Sequence, residues 1–277
     1  GKPLRISLDR TDLWDLRPVP EFHSVEYSYQ RMRQWVKEGR IDDLHRLYDN
    51  PYGNPGPTKI PAGRIELTFG EDTRFQSASL NLADGTAEMD LSDALVRVYV
   101  HATAPLGVIH ITGKPVRVAL LAPPFADKIT EEAGANKISA GDLATLRYEA
   151  PVQQSGDTWT GYLQKGWGDF RFAAVLAWRS SDADWRGVWS ICTSKESDDP
   201  LATARKRCEA ALATKFDELV RDHRQWWTSY WSKASVSVPN PVLERQWYLE
   251  TYKFGAATRP DTPPITLHSF PRACETG

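Results

Sequence analysis

Cysteine is scarce in this chain. There are three in 277 residues, Cys192, Cys208 and Cys274, an odd number at wide spacing with no CxxC pair and no neighbouring histidine pair. That usage indicates neither a disulfide scaffold nor a zinc site, and the thiols are expected to be buried or incidental. An excess of one charge is also lacking: the formal net charge is −2, so no field exists to collect nucleic acid or an anionic membrane, and neither is expected as a partner. No run approaches the roughly 18–20 apolar residues of a membrane helix, and Gly1-Lys2-Pro3-Leu4 has no apolar signal core. The expectation is a soluble protein, periplasmic or secreted, whose leader has been removed. There is no G-x-S-x-G elbow, phosphate-cradling glycine loop or dinucleotide fingerprint, and the six histidines (His23, His45, His101, His110, His223 and His268) lack ligand spacing. No cofactor and no metal are called for, and His101 and His110, lying in strand-like segments, are expected as satisfied core residues.

Tryptophan is what the chain has in plenty: 11, against 2 methionines. Flat rings stack on the C–H faces of sugars, but they also anchor β cores, and the second role accounts for most of them. Leu4-Arg5-Ile6-Ser7-Leu8 alternates as a strand. Residues 25–48 shift to helical spacing at Tyr29, Met32, Trp35, Val36, Ile41, Leu44 and Leu47, which predicts a helical insertion closed by the turn-rich run Asp49 to Pro57. From Arg64 to Ile111 period two returns in short bouts with connections too short for helices, the pattern of antiparallel hairpins. Val116 to Leu121 continues it, a polar loop over about 126–142 interrupts it, and 159–163, 170–178 and 185–191 supply three more strands. Trp178 and Trp189 fall mid-strand and, with Trp185 on the same face as Trp189, are expected in the core.

Asp198-Asp199-Pro200 and Asn240-Pro241 both place a capping side chain before a proline at the first helical position. They predict one long helix running to about Trp231 and a second from Val242 to about Ala257, joined by the extended piece Ser235 to Pro239. The fold class expected is mostly β: a large two-sheet antiparallel β-sandwich over residues 1–195, a linker helix and connection over 196–239, and a further helix with a patternless tail over 240–277. Trp247, Tyr248, Leu249, Tyr252 and Phe254 give that further helix an apolar side. It must either fold back on the sandwich or bury in a homodimer through residues 241–257.

Two segments go beyond a generic sandwich. Leu8-Asp9-Arg10-Thr11-Asp12-Leu13-Trp14-Asp15-Leu16-Arg17-Pro18 resembles an early strand-and-loop motif of the glycoside hydrolases that join a β-sandwich to an (α/α)6 barrel, those related to glycoside hydrolase family 95. Trp226 to Val236, with Glu244-Arg245-Gln246-Trp247-Tyr248-Leu249-Glu250-Thr251-Tyr252, is similar to that family's linker helix, connection and first barrel helix. The resemblance spans residues 4–267; His268 to Gly277 does not continue the pattern, so the chain is expected to be cut before the barrel that carries the family's general acid and base. The resemblance implies an oligo- or polysaccharide of plant or microbial origin as partner. It leaves three readings open: a relative of an inverting hydrolase, a non-catalytic glycan-binding or structural domain, and a small hydrolase with a site built from the sandwich loops.

Hydrolysis of a glycoside needs two carboxyl groups about 5–10 Å apart. The dense acidic constellation beside an aromatic is Asp9, Asp12, Trp14 and Asp15, with Asp12 and Asp15 the candidate catalytic pair and Trp14 and Arg17 candidate substrate contacts. The same aspartates serve equally as turn caps or as partners of Arg10 and Arg17. In Gly166-Trp167-Gly168-Asp169 the flanking glycines permit unusual backbone angles, so Trp167 either faces solvent as a sugar platform, with Asp169 beside it, or folds onto the core.

Overall fold

The computed structural model describes residues 3–54, 56–113, 117–123, 146–181 and 184–259. The expected loop at 126–142 and the tail at 268–277 lie outside the described residues.

The described residues are mostly strand by architecture, and among them every strand pairing is antiparallel. In chain order the strands are β1 (Leu4–Ser7), β2 (Trp14–Asp15), β3 (Thr58–Lys59), β4 (Arg64–Thr68), β5 (Phe75–Asn81), β6 (Thr86–Leu91), β7 (Ala94–Val100), β8 (Gly107–Gly113), β9 (Arg117–Leu121), β10 (Val152–Gly156), β11 (Trp159–Lys165), β12 (Arg171–Ser180) and β13 (Asp184–Thr193). An eight-stranded sheet runs β10-β11-β12-β13-β8-β7-β6-β5, a three-stranded sheet β1-β4-β9 faces it, and β2 and β3 form a small ribbon. Between β1 and β4 lies the helical insertion, α1 (Tyr29–Glu38) and α2 (Ile41–Leu44). Ser28 accepts the Arg31 N–H at the start of α1, and Gly39, at φ 71°, turns the chain out of it.

Period-two patterning sorts the side chains. Phe172, Ala174 and Leu176 of β12 and Trp185, Trp189 and Ile191 of β13 share a core with Ile65, Leu67 and Leu120 of the small sheet, and Trp178 packs partly buried against it. Room for such large rings mid-strand comes from glycine: a Cβ on Gly107 of β8 would sit 1.9 Å from the Trp189 ring.

The alternate residues Ala173, Val175, Ala177, Val188 and Cys192 meet a second core from α3 (Pro200–Ala213), built of Leu201, Ala204, Cys208, Ala211 and Leu212. The centre of the sheet is therefore covered on both faces, which is why β12 reads as a nearly continuous apolar run. Cys192 and Cys208 are buried free thiols in this layer.

The expected single helix from Pro200 to Trp231 is two. Asp199 caps α3 by accepting the Ala202 N–H, as the sequence predicts. At Thr214 the backbone turns extended, and Arg186 of β13 donates to the Leu212 carbonyl at 2.7 Å, capturing a helix-end acceptor. The helix α4 (Phe216–Trp231) then begins after an extended Lys215. Asn240 accepts the Val242 and Leu243 N–H groups to open α5 (Pro241–Ala257).

The inner side of α5 lies on α4. Tyr252 stacks on Trp227 at 5.3 Å, and Tyr230 donates to the Thr251 carbonyl at 2.7 Å. Its outer side leaves Val242, Leu243 and Phe254 exposed in the single chain. Among the described residues no helix is long and apolar enough to cross a membrane.

Candidate functional site

The β2–β3 ribbon places Trp14 opposite Lys59 and Asp15 opposite Thr58. Neighbouring strand residues point to opposite faces, so Trp14 and Asp15 part company at once. Trp14 stays half-buried and donates its Nε1–H to the Thr11 carbonyl at 3.0 Å.

Asp15 is wholly buried. Its Oδ1 accepts from the Arg17 backbone N–H and from Arg17 Nε, both at 2.9 Å. Its Oδ2 accepts from Arg17 Nη2 at 2.7 Å and from the Tyr148 hydroxyl at 2.6 Å. Burial alone would favour the neutral acid, but the Arg17 and Tyr148 bonds outweigh it and hold the Asp15 carboxyl below its ordinary value. Burial and the Asp15 carboxylate together push the Tyr148 hydroxyl well above its usual value. Gly56 borders the pair closely, since a Cβ there would lie 2.9 Å from Asp15 Oδ1.

Arg17 carries the arrangement to the surface. Its guanidinium also donates to the Leu146 carbonyl at 3.2 Å and lies 5.0 Å from the centre of the Trp167 ring. Trp167 occupies the β11–β12 turn, where Gly166 N–H donates to the Phe170 carbonyl at 2.8 Å and Gly168 adopts φ 62°. The ring is 48% exposed. Asp169, next in the turn, is exposed. The geometry is a flat ring backed on one side by a cation whose charge is already matched by Asp15.

Asp12 belongs to a different network. Arg10 holds it through Nε at 2.8 Å, pairs with Glu196 at 2.6 Å and donates to the Ile191 carbonyl at 2.7 Å. Glu196 in turn pairs with Arg207 of α3 at 3.1 Å. Burial works against the Glu196 carboxylate, but Arg10 and Arg207 hold it below its ordinary value. Asp9 pairs with Lys59 at 2.8 Å.

Of the six residues singled out by sequence, the fold joins Asp15, Arg17 and Trp167, gives Asp12 and Trp14 other partners and leaves Asp169 exposed in the β11–β12 turn. Asp12 and Asp15 each pair with a different arginine, Arg10 and Arg17. Tyr148 was not legible in advance. A tyrosine beyond a long polar loop carries no local mark of the carboxylate it meets.

No family model matches the chain, and no curated protein matches it. Solved structures give weak likenesses. A protein assigned as a kojibiose phosphorylase from the human microbiome is 10% identical with a TM-score of 0.47, over 70% of this chain and 30% of that one. A family GH92 α-mannosidase from Bacteroides thetaiotaomicron, also 10% identical, covers 91% of this chain and 31% of its own with a TM-score of 0.28. The same enzyme with mannoimidazole bound scores 0.29. The chain thus spans under a third of the length of these proteins, and at such scores they bear neither on activity nor on individual residues.

Proposed function

We propose that this chain is the β-sandwich part of a carbohydrate-active protein related to the sandwich-and-barrel glycoside hydrolases, and that it contacts oligo- or polysaccharide through Trp167 rather than hydrolysing it. The single observation carrying the reading is the half-exposed Trp167 ring with Arg17 stacked behind it. An aromatic ring anchored on one face and open on the other suits the C–H face of a pyranose, and such stacking contributes about 0.5–1.5 kcal/mol beyond the area covered. The sequence resemblance over residues 4–267 supplies the substrate class.

Binding is favoured over catalysis by the carboxylates. A general acid must hold a proton near neutral pH, whereas Asp15 accepts four hydrogen bonds and is held ionised. Asp12, locked to Arg10, stands in another network.

The test is affinity electrophoresis or calorimetry of the whole chain against a panel of plant and microbial polysaccharides. Trp167→Ala is expected to weaken binding about tenfold, the equivalent of 1.4 kcal/mol, with little change in melting temperature. Binding unaltered by Trp167→Ala, or hydrolysis of aryl-glycosides abolished by Asp12→Asn or Asp15→Asn in folded protein, would overturn the reading.

A further inference from the structure

Two histidines far apart in sequence meet where the C-terminal helices join the sandwich. His101 follows β7 and His223 lies midway along α4, with ring centres 5.8 Å apart, and Tyr99 packs 4.5 Å from His223. They are 7% and 1% exposed. Each turns a nitrogen lone pair to backbone amides. The Ala102 N–H donates to His223 Nδ1 at 3.2 Å, and the Thr103 and Ala104 N–H groups donate to His101 Nδ1 at 3.3 and 3.0 Å. On its other side His223 Nε2 donates to the Asp84 carbonyl at 2.5 Å. A ring that accepts at one nitrogen and donates at the other is neutral; a proton added at Nδ1 would set donor against donor.

These bonds sit at the attachment of α4. Arg224 pairs with Asp84 at 3.1 Å, the Trp227 ring closes over Gly85, and Trp231 Nε1 donates to the Leu82 carbonyl at 2.9 Å. Arg259, beyond α5, donates to the Ala102 carbonyl at 2.7 Å and lies over Trp226. Every one of these anchors falls on the 82–85 turn or the 101–104 loop, the two segments the histidines grip.

We infer that His101 and His223 form a proton-operated latch, which docks α4 and α5 on the sandwich while both rings are neutral and frees the helix pair when they are protonated.

The surrounding charges agree with the direction. Burial is the main influence lowering both histidines; near His223 the neighbouring His101 and Arg224 add to it, against the Asp84 carbonyl and carboxylate. Near His101 the Leu219 carbonyl and Asp222 oppose it. Tyr99, its hydroxyl pushed up to about 12 by burial, stays neutral, and Arg186 keeps its charge on the same side. At the start of α4, His110 packs on Phe216 at 4.9 Å and lies 2.5 Å from Asp184.

Hydrogen exchange of the full chain from about pH 7.5 to about pH 4.5, corrected for intrinsic rates, tests this across the ordinary histidine range. Peptides from 216–257 should lose protection by up to about tenfold per pH unit for each histidine engaged. Peptides from β12 and β13 should hold. His223→Gln, whose amide both donates and accepts without titrating, should flatten the loss. Should that variant fail to dock, the wild-type histidine NMR titration decides. His101 and His223 titrating below the free value of about 6.5 in step with the exchange would support the latch. Loss of protection shared equally by 216–257 and the central strands, or His223 titrating normally with α4 still docked, would overturn it.

Discussion

At the residue scale the arginines decide which aspartates are free to act. Arg17 and Asp15 form a bidentate pair with the carboxylate wholly buried, and removing one partner leaves the other charge uncompensated. Arg17→Met is therefore expected to cost about 3–5 kcal/mol of unfolding free energy in urea. Tyr148→Phe, which deletes one of four bonds to the same group, should cost only about 1–2 kcal/mol. Equal losses from the two substitutions would mean that the hydroxyl holds Asp15 as strongly as the guanidinium does. Half of this site was legible in the sequence. Asp15 and Arg17 stand two residues apart, where an acidic turn residue and an arginine commonly pair. Their meeting with Tyr148 and Trp167 depends on strand placement that no local pattern carries, and the pairing of His101 with His223 was hidden for the same reason.

At the element scale, alternation and caps were reliable guides where one cause dominates. Period two located β1, β4, β5, β7, β9, β11, β12 and β13, and the Asp199-Pro200 and Asn240-Pro241 signals marked two helix starts. The break between α3 and α4 escaped because it contains neither glycine nor proline; its cause is Arg186, reaching over from β13 to the Leu212 carbonyl. The two-residue strands β2 and β3 escaped because so short a ribbon has no period. Packing between elements makes its own prediction. Gly107→Ala would drive a methyl group into the Trp189 ring, so it should destabilise by at least about 1–3 kcal/mol, as overpacking does, despite alanine's better strand entropy. Restoration of stability in a Gly107→Ala/Trp189→Leu double variant, measured against each single one, would attribute the loss to that contact; strict additivity would not.

Across the whole molecule, the burial and pairing of titratable groups set how the fold responds to acid, and two windows follow from their signs. His101 and His223 are held neutral, with values lowered from the ordinary 6.5. A lowered histidine contributes in full above its unfolded value, and its contribution falls as pH drops through the folded value, because the unfolded chain binds the proton more readily. Asp15 and Glu196 are lowered from 3.8 and 4.5 as carboxylates paired with arginine. Their contribution is intact above those unfolded values and lost as pH falls below them. Stability of the whole chain, measured by denaturant titration at a series of pH values, should therefore decline in two stages. The first, below about 6.5, belongs to the contact between the C-terminal helices and the sandwich. The second, below about 4.3, belongs to the arginine-paired carboxylates that tie the β1–β2 loop and the ribbon to the eight-stranded sheet and α3. The same tryptophan-rich chain offers the readout: Trp226, Trp227 and Trp231 report the helices, and Trp185 and Trp189 report the sheet core. Phenylalanine at either set removes that set's share of the signal. A single acid transition centred in the carboxylate range, with both sets of tryptophans moving together, would show that the histidines carry no share of the pH response.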